Sequence, residues 1–193
     1  MRLFRELRQD SVSLACRKPD GTATLAQLAQ SVSYDGFVVL ALSRVRQSAR
    51  RLHIPLVNRT LRLSQMALFG IEIAKDVELG EGVFFMHTLG TVIGGNSKIG
   101  ARTLFLGNNT IGNLNNRGYP VIEEDVIIGA GARKLGPVVI GRGAMIGANA
   151  VVVTDVPAGA TAVGIPAVSR LRGTSDGSPP SSTAVLRNSV QSD

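Results

Sequence analysis

A beat of six organises this chain between Ile71 and Pro166. Ile73, Leu79 and Phe85 fall in phase, and after a two-residue slip the beat resumes at Ile93, Ile99, Phe105 and Ile111. Beyond an eleven-residue gap it continues through Ile122, Ile128, Lys134, Ile140, Ile146 and Val152. All of these positions except Lys134 are aliphatic or aromatic, and glycine often follows, as at Gly80, Gly94, Gly100, Gly112, Gly129, Gly141 and Gly147. A period of six fits neither an amphipathic helix nor a plain alternating strand. It fits short strands joined by tight turns, three six-residue faces to a coil, the signature of a parallel β-helix. Each corner needs one bulky apolar residue pointing in and a small residue where the backbone bends. No repeat buries its apolar face alone, so stacked coils supply the core. The beats predict about four coils.

Residues 1–70 read differently. They hold eleven Lys or Arg against four Asp or Glu, so the whole net charge of +7 belongs to this segment and residues 71–193 are neutral overall. The spacing predicts a helix over Phe37–Leu52, with Val38, Leu42, Val45, Ala49 and Leu52 as its apolar stripe and Arg44, Arg46, Arg50 and Arg51 outside that stripe. Pro55 suits the first turn of a second helix that runs to about Phe69, and Gly70 ends it. Leu3–Leu7 and the stretch from Thr24 are further short helical candidates, separated by a turn at Pro19–Gly21. The fold expected is therefore mainly β with an N-terminal α region: a helical cap over 1–70, a β-helix over 71–168, and a Ser/Pro/Gly-rich flexible tail over 169–193.

The basic cap leaves open a peripheral contact with anionic lipid. Nucleic acid is not expected as a partner, because no aromatic residues interleave the basic ones. No apolar run in MRLFRELRQD or around Phe37–Leu42 approaches the ~20 residues needed to span a bilayer, which predicts a soluble, cytoplasmic protein. The single cysteine, Cys16, excludes an internal disulfide and is read as a packed small residue. No cluster at ligand spacing points to a metal.

Chemistry is expected where the beat breaks. His87 falls on the first break, and Glu72 precedes it by nearly one coil, a spacing able to place a carboxylate beside an imidazole. Such a pair makes a general base for an alcohol or amine. His53 is read as a surface or cap residue. The second break is the turn-rich loop NLNNRGYP, whose neighbourhood offers Asn108, Asn109, Asn115 and Asn116 either as hydrogen-bonding edges or as turn residues.

Two stretches, GIEIAKDVELGEGVFFMHTLGTVIG and GAGARKLGPVVIGRGAMIGANAVVVTDVPAGATAVGIPA, resemble the hexapeptide-repeat acyltransferases, and within them the serine O-acetyltransferase family. The N-terminal RELRQDSVSLA and the entry LFGIEI are also similar to its sugar-modifying branch. The resemblance implies a left-handed coil, a homotrimer, and acetyl-CoA as acyl donor. It matches His87 to the catalytic base and Glu72 to its carboxylate partner. It lines the CoA groove with Gly112, Ala130 and Ala148, and puts Thr154 and Arg170 near the nucleotide end.

Three positions depart from the serine pattern. Met86 stands where an acidic residue precedes the base. In the loop, Arg117, Gly118, Tyr119 and Pro120 replace Asp-Arg-His-Pro, so glycine occupies the place of a carboxylate-binding arginine fork and tyrosine that of a second histidine. With Met86, Arg117, Tyr119 and Asn109 as acceptor contacts, the expectation is O-acetyl transfer to a sugar or polysaccharide precursor. Serine O-acetylation in cysteine biosynthesis is the alternative of the same chemistry, and a non-catalytic β-helix scaffold the alternative of another class. Lys134 is read either as snorkelling toward a CoA phosphate or as displaced by a bulge that turns Leu135 inward.

Overall fold

The computed structural model describes residues 4, 6–8, 10, 34–113, 115 and 117–171. Cys16, the turn expected at Pro19–Gly21, the helix expected from Thr24 and the tail beyond 171 lie outside them. Two helices, α1 (Asp35–Arg51) and α2 (Pro55–Phe69), precede a solenoid of short strands. Its first face stacks β1 (Glu72–Ile73), β4 (Val92–Ile93), β7 (Thr110–Gly112), β10 (Arg133–Leu135) and β13 (Val151–Val152). The second stacks β2 (Glu78–Leu79), β5 (Lys98–Ile99), β8 (Val121–Ile122) and β11 (Val139–Ile140). The third stacks β3 (Phe84–Phe85), β6 (Leu104–Phe105), β9 (Ile127–Ile128) and β12 (Met145–Ile146), and ends on β14 (Thr161–Gly164) with β15 (Ala167–Arg170) antiparallel beside it. This is the expected left-handed parallel β-helix of about four coils, with a helical region before it.

The beat is the inward column of each face. Ile73, Ile93, Ile111, Lys134 and Val152 lie in register on the first face, and all are buried. Phe85 and Phe105 stack on the third, ring centroids 5.0 Å apart. Both interruptions are extra residues thrown out at corners while the ladder stays in step. Glu72 aligns with Val92, Lys98 with Val121, and Val121 with Val139, steps of 20, 23 and 18 residues.

α1 departs from its expected orientation. Its buried residues are Gly36, Val39, Leu40, Ser43, Arg44, Arg46 and Ala49, while Leu52 at its end is largely exposed. Arg44 and Arg46 point inward because the first coil has no coil beneath it, and its downward carbonyls need donors. Arg44 donates to Leu79 O and Gly80 O at 2.7 Å and is paired with Asp10; Arg46 donates to Ile73 O at 2.8 Å. On the third face the helix itself covers the edge: a Cβ at Gly36 would land on the Phe85 carbonyl oxygen. Periodicity counts arginine as polar, and therefore as outside; here the partners are backbone oxygens inside.

α2 begins with Pro55 and closes on Gly70, which adopts a left-handed C-cap (φ 59°) as expected. Buried Gln65 ties α2 to α1 by donating to Val39 O and Ser43 Oγ, and it accepts from Arg46. No helix among the described residues is long and apolar enough to cross a membrane.

Lys134 takes the inward slot itself. It pairs squarely with Ile111 and Val152 without a bulge, it is 0% exposed, and its Nζ has no hydrogen-bond partner among the described residues. Both sequence readings of this residue are corrected: it neither reaches out to a phosphate nor yields the slot to Leu135. Burial holds its ammonium well below the ordinary lysine value, and neighbouring Arg133 pushes the same way. The unfolded chain keeps Lys134 protonated up to ordinary lysine pH, while the folded chain disfavours the charged amine, so folding carries a cost wherever the unfolded side chain is protonated. That cost shrinks as pH rises toward the unfolded value and is largest below the native one. Lys134→Ile should therefore raise stability at pH 7 by about 1–3 kcal/mol. Urea titrations of both proteins at pH 7 and pH 10 should show the gap narrowing at the higher pH.

Candidate active site

The chain turns from the third face to the first at 86–91, 106–109, 129–132 and 147–150. His87 sits in the first of these turns, exposed, directly after β3. The backbone ladder from Met86, Leu106, Gly129 and Gly147 puts His87, Gly107, Ala130 and Ala148 one above another along this edge. Gly107 has φ 122°, and a Cβ there would stand 2.9 Å from His87 Cβ. The edge above the imidazole is thus lined by small residues, which let a slender chain lie against backbone. Gly107 was missed in the sequence; stepping the register by 20 residues across the slip would have found it.

The edge from the first face to the second carries a different set. Gly112 closes β7, and the loop after it holds Arg117 and Tyr119, with Thr154 in the same turn further along. The Tyr119 ring lies flat over Gly94 and Gly95, one coil below; a Cβ on Gly95 would collide with it. Arg117 and Thr154 are exposed, and Arg170 is exposed at the end of β15. One chain therefore gathers His87 with Ala130 and Ala148 on one edge and Gly112, Arg117, Tyr119 and Thr154 on another. It does not bring the two sets together.

Glu72 lies on the outer side of β1, beside the His87 edge, half-buried. No hydrogen bond joins it to His87 among the described residues; Glu72 Oε1 instead accepts from Arg62 Nη1 of α2 at 2.9 Å. Met86 is half-buried, and its amide donates to Phe105 O.

Asn109 does not fit the expected role of acceptor contact. It is fully buried; its Nδ2 donates to Gly129 O at 2.7 Å and its Oδ1 accepts from Gly107 N at 3.2 Å. It binds two neighbouring turns to each other and has no free edge to offer. Asn108 and Asn115 occupy left-handed positions (φ 49° and 54°), the turn chemistry allowed for them. His53 is exposed. No cluster of three or more His, Cys, Asp or Glu able to hold a metal occurs among the described residues.

Comparison with known proteins agrees with this architecture. Residues 119–154 match the bacterial transferase hexapeptide (six repeats) model. A serine acetyltransferase of Synechococcus elongatus is 34% identical over 167 residues, 85% of this chain and 67% of that protein. The chain belongs to the serine acetyltransferase family. Soybean serine acetyltransferase complexed with serine superposes with a TM-score of 0.76 at 31% identity, covering 87% of this chain and 69% of that one. A serine acetyltransferase in complex with CoA gives 0.77 at 28%, covering 87% and 69%. The protein is thus an acetyl-CoA-dependent acyltransferase, and the scaffold reading falls. The expectation of a sugar acceptor, and with it a role in polysaccharide biosynthesis, is overturned by the same relatives. Substitutions at Met86, Gly118 and Tyr119 mark change within a serine-acetylating family and do not by themselves assign a new acceptor.

If Asn109 is a strut, Asn109→Ala should lower unfolding free energy by about 1–3 kcal/mol, because Gly129 O loses its donor in a buried turn. Steady-state kinetics below the melting range should show the KM for the acceptor unchanged.

Proposed function

We propose that this protein transfers the acetyl group of acetyl-CoA to the hydroxyl of L-serine. The reading rests on His87, which matches the family's base and stands exposed at the head of an edge lined by small residues, in a chain whose relatives are serine acetyltransferases. His87 takes the proton from the serine hydroxyl, and the oxygen attacks the acetyl carbonyl carbon. The carbon–sulfur bond breaks, and the imidazolium returns its proton to the departing thiolate. No Ser or Cys nucleophile is invoked, so transfer is direct within a ternary complex. Gly107, Ala130 and Ala148 give the pantetheine arm its close approach, and Thr154 and Arg170 stand toward the nucleotide end. Arg117 and Tyr119 contact the acceptor, Arg117 supplying a guanidinium one residue before the glycine that replaces the family's arginine.

The separation of these groups onto two edges supports a homotrimer in which the His87 edge of one subunit faces the Tyr119 edge of the next. Small residues on both edges permit that approach, and Gly112 then joins Ala130 and Ala148 across the interface.

Thiol release from acetyl-CoA should depend on added L-serine, and His87→Ala should lower kcat by at least about 100-fold, the ordinary scale of a general base. Binding of CoA, followed by calorimetry, should persist in that variant. Serine-independent release, or full turnover by His87→Ala, would contradict the proposal.

A further inference from the structure

We propose that Arg62 is a positioning residue: it holds one carboxylate oxygen of Glu72 so that the other is presented to His87. The inference rests on the reading of His87 as base. Glu72 is a long side chain with three rotatable bonds, so its carboxylate needs an anchor to keep a fixed direction. Arg62 Nη1 donates to Glu72 Oε1 at 2.9 Å, and Oε2 carries no hydrogen bond among the described residues.

The anchor is itself fixed. α2 is clamped to α1 by Gln65, and Arg46 bridges Gln65, Asn58 and Ile73 O, the carbonyl of the residue after Glu72. At its C-terminal end α2 meets the turn that carries His87: Gly90 N donates to Gly70 O at 2.9 Å, and a Cβ on Gly70 would meet Leu89 Cδ2 at 2.7 Å. One helix thus touches both the carboxylate, through Arg62, and the histidine turn, through Gly70. Among the described residues, Arg62 from α2 and Arg46 from α1 are the charged groups seen to act on Glu72, and β1, β4 and the turn from Thr88 to Thr91 contribute no other titratable side chain. A carboxylate so oriented stabilises the imidazolium that forms during proton transfer.

The test is the pH dependence of kcat/KM for L-serine with acetyl-CoA, in wild type, Glu72→Gln, Arg62→Gln, Arg62→Lys and the Glu72→Gln/Arg62→Gln double variant. Both partners are about half exposed, so these proteins should fold, and circular dichroism checks that. If Glu72 stabilises the imidazolium formed in the reaction, the acidic limb in Glu72→Gln should move to lower pH. If Arg62 acts through position, Arg62→Gln should move the limb the same way and lower kcat about tenfold with KM for acetyl-CoA unchanged. Arg62→Lys should recover part of the loss, and the double variant should be no worse than Glu72→Gln. A limb displaced to higher pH would show that Arg62 acts only as a nearby positive charge, and an unmoved limb would show a merely structural role; either overturns the inference. If Glu72→Gln itself changes nothing, the inference falls because Arg62 has nothing to act through, while serine-dependent turnover lost in His87→Ala would leave the proposed function standing.

Discussion

The bottom edge of a parallel solenoid presents carbonyl oxygens with no further coil to bond them, and the N-terminal region is arranged around that edge. Arg44 and Arg46 fill it on the second and first faces, and Gly36 lets α1 press onto Phe85 O on the third. The same clamp sets the pose of α2, because Arg46 also grips Gln65. The pose of α2 in turn sets Arg62 against Glu72 and Gly70 against the His87 turn. Satisfying buried backbone and orienting the candidate catalytic groups are thus one problem solved by one pair of helices. Burial, with nearby Arg62 adding to it, lowers the Arg46 pKa to about 10. It remains a cation at neutral pH, so its hydrogen bond to the Ile73 carbonyl is charge-assisted.

The solenoid above this cap is tolerant in a specific way. Extra residues at the two slips leave the inward columns unbroken, since a loop can leave the coil at a corner without disturbing the ladder. Function is placed at those corners. An apolar slot inside the prism is less forgiving, and Lys134 shows how it responds: the backbone register holds, and the amine is buried with no partner among the described residues.

Coil number, face register and the position of His87 were legible because a six-residue beat converts directly into which residues stack. Gly107 was legible in principle by the same counting. The inward arginines of α1 were not, because a periodicity argument assigns charge to solvent and cannot see an unfilled row of carbonyls thirty residues later in the chain. The Arg62–Glu72 pair was hidden for a related reason: it depends on how α2 lies across β1. Asn109 looked like an acceptor contact because exposed and buried turn asparagines read alike in sequence. The sugar acceptor was inferred from lost serine-recognition residues, and family membership outweighs that loss, since Arg117 stands beside the vacated position.

On the proposed trimer, each chain carries two half-sites on separate edges, which a neighbouring copy completes. Co-expressing His87→Ala with a chain altered at Arg117 and Tyr119, each inactive alone, and assaying the purified mixed assembly for serine-dependent thiol release tests it directly. The account predicts that mixing restores part of the activity, because some interfaces then pair an intact His87 edge with an intact Tyr119 edge. Mixed assemblies as inactive as either parent would show that both sets act within one chain, and would contradict it.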